Sequence, residues 1–188
     1  DLGTDQVVAY RFDAAAGSLA AAEPPGPCVQ AGAGPRHLVF HPDGRFAYLV
    51  NELDNTAVVF AYDPARGALE TVQTTPMLPG GYAGTSYAAD VQILPSGDFL
   101  YASNREHNSI VVWAIDPGTG ILRLVQHQPT PPWPWNLAVA PGAGFLLAAC
   151  QRGDCVAAFR IDRQTGRLAP TGQQVEVPKA VCVEFLGA

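Results

Sequence analysis

The sequence has few charged residues, no long apolar run and no metal-binding cysteine pattern, and each absence excludes a class of protein. Charged side chains are 15% of the 188 residues and the net charge is −6, which argues against nucleic acid and anionic membrane surfaces as partners. No stretch approaches the roughly 20 apolar residues of a membrane span. Cys28, Cys150, Cys155 and Cys182 form no C-x-x-C pair and have no His at metal-ligand spacing. We therefore expect free thiols, buried as small hydrophobes in a reducing cytoplasm, and neither a metal nor a cofactor.

What the sequence does contain is a repeat of about 50 residues. The segment "HLVFHPDGRFAYLVNELDNTAVVFAYDPARGALE" at 37–70 returns at 90–123 and again at 136–169. An aspartate before each G-x-L turn recurs at Asp13, Asp63, Asp116 and Asp162, with spacings of 50, 53 and 46 residues. This period is too long for a leucine-rich or ankyrin repeat and suits four short strands per unit.

Each unit contains short runs of β-branched and aromatic residues between Gly, Pro and Asp, and no helical period. This pattern predicts an all-β fold, a β-propeller of four-stranded antiparallel blades. In the first complete unit the strands are expected at about 37–41, 46–51, 57–62 and 69–74. The whole chain, 1–188, is then a partial propeller: the second half of a blade (1–29), three blades (36–77, 88–130 and 134–177) and the inner strand of a closing blade (180–188).

Polar side chains recur where the apolar strands end. His37, Asp90 and Asn136 begin the first strand of successive blades, and Glu52, Arg105 and Gln151 follow the second strand. The two strands are antiparallel, so these positions share one edge and should converge on one mouth of the central channel. Arg36 adds a further charge, and its equivalents are Ala89 and Trp135.

This convergence predicts a ligand site. The predicted catalytic residues are Arg36, His37, Glu52 and Arg105, and the predicted substrate-binding residues are Asp90, Asn51, Asn104, Asn136 and Gln151. Two structural alternatives stay open. Asp90 and Asn136 can simply cap turns, and Glu52 with Arg105 can be a salt bridge between blades.

The motifs "GPRHLVFHPDGRFAYLVNEL", "LYASNREHNSI", "D-x-x-TG-x-L" and "VPKAVCVEF" resemble the lactonase-type seven-bladed propellers, which include bacterial 6-phosphogluconolactonases and fungal carboxymuconate-lactonising enzymes. The resemblance extends over essentially all 188 residues. It implies that the chain is the C-terminal half, or slightly more, of a seven-bladed protein. The opening "DLGTD", without a Met, agrees with an internal cut. The N-terminal half, or another chain, would then be a partner.

The resemblance also implies roles for individual residues. Arg36, Glu52 and Arg105 match the catalytic motifs of the muconate-type enzymes, and a further catalytic His is expected from a blade before residue 1. Trp135 stands where many relatives have an Arg, which leaves open whether the substrate carries a phosphate. The favoured function is metal-independent hydrolysis of a sugar lactone, of the 6-phosphogluconolactonase type, with Arg36 and Arg105 binding the anionic substrate and Glu52 and His37 transferring protons. A carboxymuconate cycloisomerase and a propeller that only binds ligands or proteins are the alternatives.

Overall fold

A computed structural model describes residues 1–186, which form fourteen β-strands and one short 3₁₀ helix. The strands are β1 (Tyr10–Asp13), β2 (Ser18–Ala21), β3 (Pro35–Phe40), β4 (Phe46–Asn51), β5 (Thr56–Asp63), β6 (Ala68–Pro76), β7 (Tyr87–Ile93), β8 (Phe99–Arg105), β9 (Ser109–Ile115), β10 (Leu122–Pro129), β11 (Pro134–Val139), β12 (Phe145–Cys150), β13 (Cys155–Ile161) and β14 (Leu168–Glu176). The 3₁₀ helix, Gln151–Gly153, lies between β12 and β13. The predicted all-β fold is confirmed.

The strands form three four-stranded antiparallel sheets in chain order, β3–β6, β7–β10 and β11–β14, here called blades I, II and III. The strands β1 and β2 form a separate hairpin, and a single bridge joins Gln6 to Cys28 in the same N-terminal segment. The first strands of the blades, β3, β7 and β11, lie beside one another. Residues 181–186 form no strand within the described chain, and 187–188 lie outside it, so the inner strand at 180–188 stays a prediction.

The apolar core lies between blades rather than within them. Tyr48 and Val59 of blade I pack with Leu100 and Trp113 of blade II in one buried cluster. A second cluster joins blade II to blade III in the same way. A sheet whose two faces are both apolar must be covered on both sides, and stacking blades around an axis achieves this.

A tyrosine and a glycine fasten each blade to the next. The Tyr48 hydroxyl of blade I donates to the carbonyl oxygen of Gly120 in blade II at 3.2 Å, and Tyr101 makes the equivalent bond to Gly166 at 3.1 Å. Both glycines have positive φ and pack against a phenylalanine ring of the preceding blade. The glycine of the repeated "TG" therefore makes a contact between blades in addition to forming a turn.

Because of this contact, a side chain at position 166 should destabilise the fold strongly. A Cβ at Gly166 would lie 2.2 Å from Cδ1 of Phe99, whereas a Cβ at Gly142 has no atom within 4 Å, and φ is positive at both (+71° and +80°). We predict that Gly166→Ala lowers the free energy of unfolding by about 1–3 kcal/mol more than Gly142→Ala, the cost of overpacking alone. Urea denaturation of the two variants measures this difference. Equal losses would show that the Gly166 contact can relax.

The cysteines are free, as expected, but they are not all buried. Cys150 and Cys155 are buried opposite each other on β12 and β13, and burial raises the pKa of Cys150 to about 12. Cys28 and Cys182 are exposed, so the expectation of burial is wrong for these two. No helix in the described residues is long and apolar enough to span a membrane.

Candidate active site

A β-bulge at the start of each first strand creates the site. On β3, Pro35 pairs with Asn51 and His37 with Val50, so that Arg36 is an extra residue without a partner on β4. The same shift occurs on β11, where the extra residue is Trp135, and on β7 between Ala88 and Val91. A bulge interrupts the alternation of side chains along a strand and re-aims them. Arg36 and its neighbour His37 are consequently close enough to touch, with 3.1 Å between Nη1 and Nε2.

The centre of the site is one carboxylate held by two guanidinium groups. Glu52 follows β4, and its Oε1 lies 2.6 Å from Nη2 of Arg105 on blade II. Its Oε2 lies 3.2 Å from Nε of Arg36 on blade I. The two cations and one anion leave this trio with an excess positive charge. The predicted convergence of Arg36, Glu52 and Arg105 is thus seen as direct contact.

Arg105 is the more firmly held of the two arginines. Its side chain is 5% exposed, and it donates to the carbonyl oxygens of Tyr87 at 3.4 Å and Ala88 at 3.0 Å. The rings of Trp135 and Trp133 lie 4.7 and 5.6 Å from its guanidinium carbon. Aromatic faces attract a cation and keep water away from it. Arg105 therefore presents a fixed positive charge in a largely dry setting.

Arg36 is more exposed than Arg105, with 16% of its side chain accessible, and it has an imidazole among its polar neighbours. Besides Glu52 and His37, it donates from Nη1 to the carbonyl oxygen of Ala89 at 2.5 Å. Burial lowers the pKa of the Arg36 guanidinium, and the charge of Arg105 lowers it further, while Glu52 opposes both effects. A guanidinium remains charged at neutral pH despite such shifts. The two arginines thus repel each other and depend on Glu52 to stay together.

A second group of polar contacts crosses all three blades. Nδ1 of His37 lies 2.7 Å from Oδ1 of Asp90, whose side chain is buried. Oδ2 of Asp90 accepts bonds from Asn136 Nδ2 at 2.8 Å and from the Leu137 amide at 2.9 Å. Asn136 in turn accepts a bond from the Val183 amide at 2.8 Å. Burial alone would raise the pKa of Asp90, but the bonds from His37 and Leu137 outweigh it and lower the pKa below its ordinary value.

The structure gives several of the predicted substrate-binding residues other partners. Asn51 donates to Thr56 at the start of β5. Asn104 donates to Ser109 at the start of β9 and to the carbonyl oxygen of Met77, which follows β6, so neither asparagine donates to the arginine cluster. Asp90 and Asn136 bond to each other across two blades. Gln151 begins the 3₁₀ helix after β12, at the blade III position equivalent to Glu52, and its role stays a prediction. Within residues 1–186, no group of His, Cys, Asp and Glu side chains is arranged to hold a metal ion.

Sequence reasoning did not identify the aromatic part of the site. Trp135 lies against both arginines, with its ring 5.7 Å from Arg36 and 4.7 Å from Arg105. The ring of Trp133 contacts Arg105 and also Arg152, which lies 3.4 Å from the ring centroid. The alignment of Trp135 with Arg36 in the repeat could have indicated that this ring lies in the site, because equivalent bulges place equivalent residues at the same end of the blades.

The fold and this cluster together define a β-propeller with a polar, arginine-rich site at one end of its innermost strands. The chain belongs to the family described as "Lactonase, 7-bladed beta-propeller", whose model matches residues 1–185.

Curated relatives are named 6-phosphogluconolactonase. The Bacillus subtilis protein is 32% identical over 187 residues, which are 99% of this chain and 52% of that protein. The Pectobacterium carotovorum protein is 42% identical over 140 residues, 74% of this chain and 42% of that protein. The chain thus spans about half the length of the curated relatives that it matches.

Solved structures agree on the fold. A periplasmic gluconolactonase from Pseudomonas aeruginosa has a TM-score of 0.93 and 38% identity, over 100% of this chain and 52% of that protein. A protein from Lactobacillus plantarum has a TM-score of 0.94 and 34% identity, over 100% of this chain and 54% of that one. The arrangement of the three blades is therefore that of a lactonase-type propeller.

Proposed function

We propose that the protein hydrolyses a sugar lactone of the 6-phosphogluconolactone type at the Arg36–Glu52–Arg105 cluster. The supporting observation is the carboxylate of Glu52 between two guanidinium groups from neighbouring blades, at 2.6 and 3.2 Å. Membership of the lactonase family gives the reaction class. The relatives named 6-phosphogluconolactonase indicate the substrate class.

The chemistry suits these groups. Water adds to the lactone carbonyl, the carbonyl oxygen becomes negatively charged, and the ring C–O bond then breaks to give a hydroxyl and a carboxylate. Fixed guanidinium groups stabilise charge that develops on oxygen, especially where water is excluded. Arg105, buried against Trp133 and Trp135, supplies such a group. The arginines provide the positive charge that a metal would otherwise supply, so the proposed reaction needs no metal.

The lengths of the contacts indicate which arginine meets the substrate first. Both oxygens of Glu52 accept a bond from an arginine, so one of these contacts must open before that oxygen can take up a proton. The bond from Arg36 is the longer, and Arg36 has fewer ring contacts than Arg105. Arg36 is therefore proposed to turn from Glu52 to the substrate, which frees Oε2 to accept a proton from the attacking water.

The family is seven-bladed and residues 1–186 contain three complete blades, so we propose that the other side of the site comes from further blades, of this polypeptide or of another chain. An anionic lactone is the proposed small-molecule partner, and nucleic acid and membranes are not proposed as partners. The proposed location is the cytoplasm, where the four free cysteines would stay reduced.

The experiment is a comparison of substrates with the whole protein. We expect hydrolysis of 6-phosphogluconolactone, measured as acid release corrected for spontaneous opening, and no lactonisation of a carboxymuconate followed by its ultraviolet absorbance. Hydrolysis of unphosphorylated gluconolactone shows how far the phosphate matters, given Trp135 in the site. Turnover of the carboxymuconate alone would replace the hydrolase proposal with a cycloisomerase, and the absence of both activities would favour a binding propeller.

A further inference from the structure

The ring of His37 lies between a carboxylate and a guanidinium, and this fixes where its proton is. Nδ1 is 2.7 Å from Asp90 Oδ1, and Nε2 is 3.1 Å from Arg36 Nη1. A guanidinium has only donors, and an ionised carboxylate has only acceptors. The hydrogen bonds are therefore satisfied in one way only, with the proton on Nδ1 directed to Asp90 and a lone pair on Nε2 accepting from Arg36.

In each other protonation state of His37, a ring nitrogen faces a neighbour with which it cannot form a hydrogen bond. A proton on Nε2 would point at the N–H of Arg36 and leave Nδ1 facing the carboxylate of Asp90 with no hydrogen between them. A doubly protonated ring would place a second cation against Arg36, which already faces Arg105. Asp90 is well suited to hold the required form, since its carboxylate is buried and is fixed by further hydrogen bonds from Val91, Asn136 and Leu137.

Asp90 is itself held from the next blade. Asn136 Nδ2 and the Leu137 amide of blade III both donate to Oδ2 of Asp90, while Oδ1 receives His37 and the amide of Val91 at 2.9 Å. A chain of hydrogen bonds thus runs from blade III through Asp90 and His37 to Arg36 and ends at Glu52. It connects a rigid inter-blade contact to the arginine that is proposed to move.

We propose that Asp90 and His37 are positioning residues, which orient Arg36 before the substrate binds, through a neutral His37 ring protonated on Nδ1. This inference rests on the proposed function, and it changes two predicted roles. His37 does not transfer a proton, because its only lone pair accepts a bond from Arg36. Asp90 does not bind substrate, because its two oxygens accept bonds from five donors of the protein, Gln92 Nε2 at 3.3 Å among them.

Two substitutions of His37 separate positioning from proton transfer. The side chain is 47% exposed, so both variants are expected to fold. His37→Gln keeps one donor and one acceptor but cannot take up a proton, whereas His37→Phe keeps the size of the ring and neither polar group. We expect His37→Phe to lower kcat by about 100-fold, the scale for a catalytic group misplaced by about 1 Å, and His37→Gln to recover at least about tenfold of that loss. Equal losses in both variants would overturn the positioning role and assign His37 to proton transfer.

The position of the proton is measured independently of activity. Long-range ¹H–¹⁵N correlation spectra of the whole protein at pH 8 show which imidazole nitrogen is protonated, and the spectrum of His37→Gln assigns the His37 signals among the histidines. We expect the Nδ1–H form with a downfield proton, as a short bond to a carboxylate requires. An Nε2–H ring or an imidazolium would overturn the inference even if lactone hydrolysis is observed. Wild-type protein that hydrolyses no lactone, but shows the Nδ1–H ring, would overturn the proposed function alone.

Discussion

Replacing Arg105 with alanine in the whole protein should remove about 2 to 4 kcal/mol of transition-state stabilisation for lactone hydrolysis, measured as kcat/KM. The reason is the setting of this guanidinium. It is 5% exposed, bonded to Glu52 at 2.6 Å and enclosed by Trp133 and Trp135. A charge held in this way does not have to reorganise when negative charge develops on the substrate.

Two further variants make the measurement specific. Arg123→Ala removes an exposed arginine on β10, whose guanidinium lies 3.5 Å from the carboxylate of Asp116. This control should leave kcat/KM unchanged. Arg105→Lys keeps the charge but loses the fork that reaches Glu52 and the carbonyl oxygens of Tyr87 and Ala88, so it should be intermediate. Thermal unfolding shows whether the Arg105 variants are folded. A folded Arg105→Ala protein with unchanged kcat/KM would leave Arg105 as only a salt bridge between blades.

The blades, and the pairing of charges between them, could be predicted from the sequence. The recurrence of one unit predicted β3–β6 to within a few residues, because short apolar strands separated by Gly, Pro and Asp have few other packing solutions. The antiparallel order of strands placed Arg36 and Glu52 at one edge, and stacking of the next blade brought Arg105 to them. These are consequences of strand direction and repeat length, and both can be read from a sequence.

The details of side-chain direction could not be obtained in the same way. Asn51 and Asn104 precede Glu52 and Arg105 and were predicted to share their site. Successive side chains of a strand point to opposite sides, and the two asparagines bond instead to the first residues of the next strands, Thr56 and Ser109. Arg36 and His37 break this alternation, since the bulge on β3 brings both into one cluster. A bulge is a local change of register that the repeat pattern does not indicate.

The 188-residue polypeptide by itself should associate in solution and should lack lactonase turnover. Large apolar side chains are exposed on the N-terminal hairpin, where Phe12 and Leu19 are 66% and 67% exposed. Val175 on blade III is likewise 66% exposed. A cavity of about 600 Å³ separates the hairpin from blade I, with Leu38 and Phe40 among its lining residues. The repeat equivalents of Phe12 and Leu19 are buried between blades: Ile115 and Leu122 in one cluster, and Ile161 and Leu168 in the other.

Unpaired strand edges add to this tendency. Within residues 1–186, β1 pairs only with β2, so its other edge offers free N–H and C=O groups to any second strand. The proposed site also lies on the first strands of blades I and II, which face the centre of the ring, so a substrate held there needs the blades opposite. Size-exclusion chromatography with light scattering should therefore show species larger than a 19.8 kDa monomer. Acid release from 6-phosphogluconolactone should match the spontaneous rate. A monodisperse monomer with full turnover would mean that these three blades and the hairpin enclose a complete site without further blades, and that the exposed apolar surface serves another purpose.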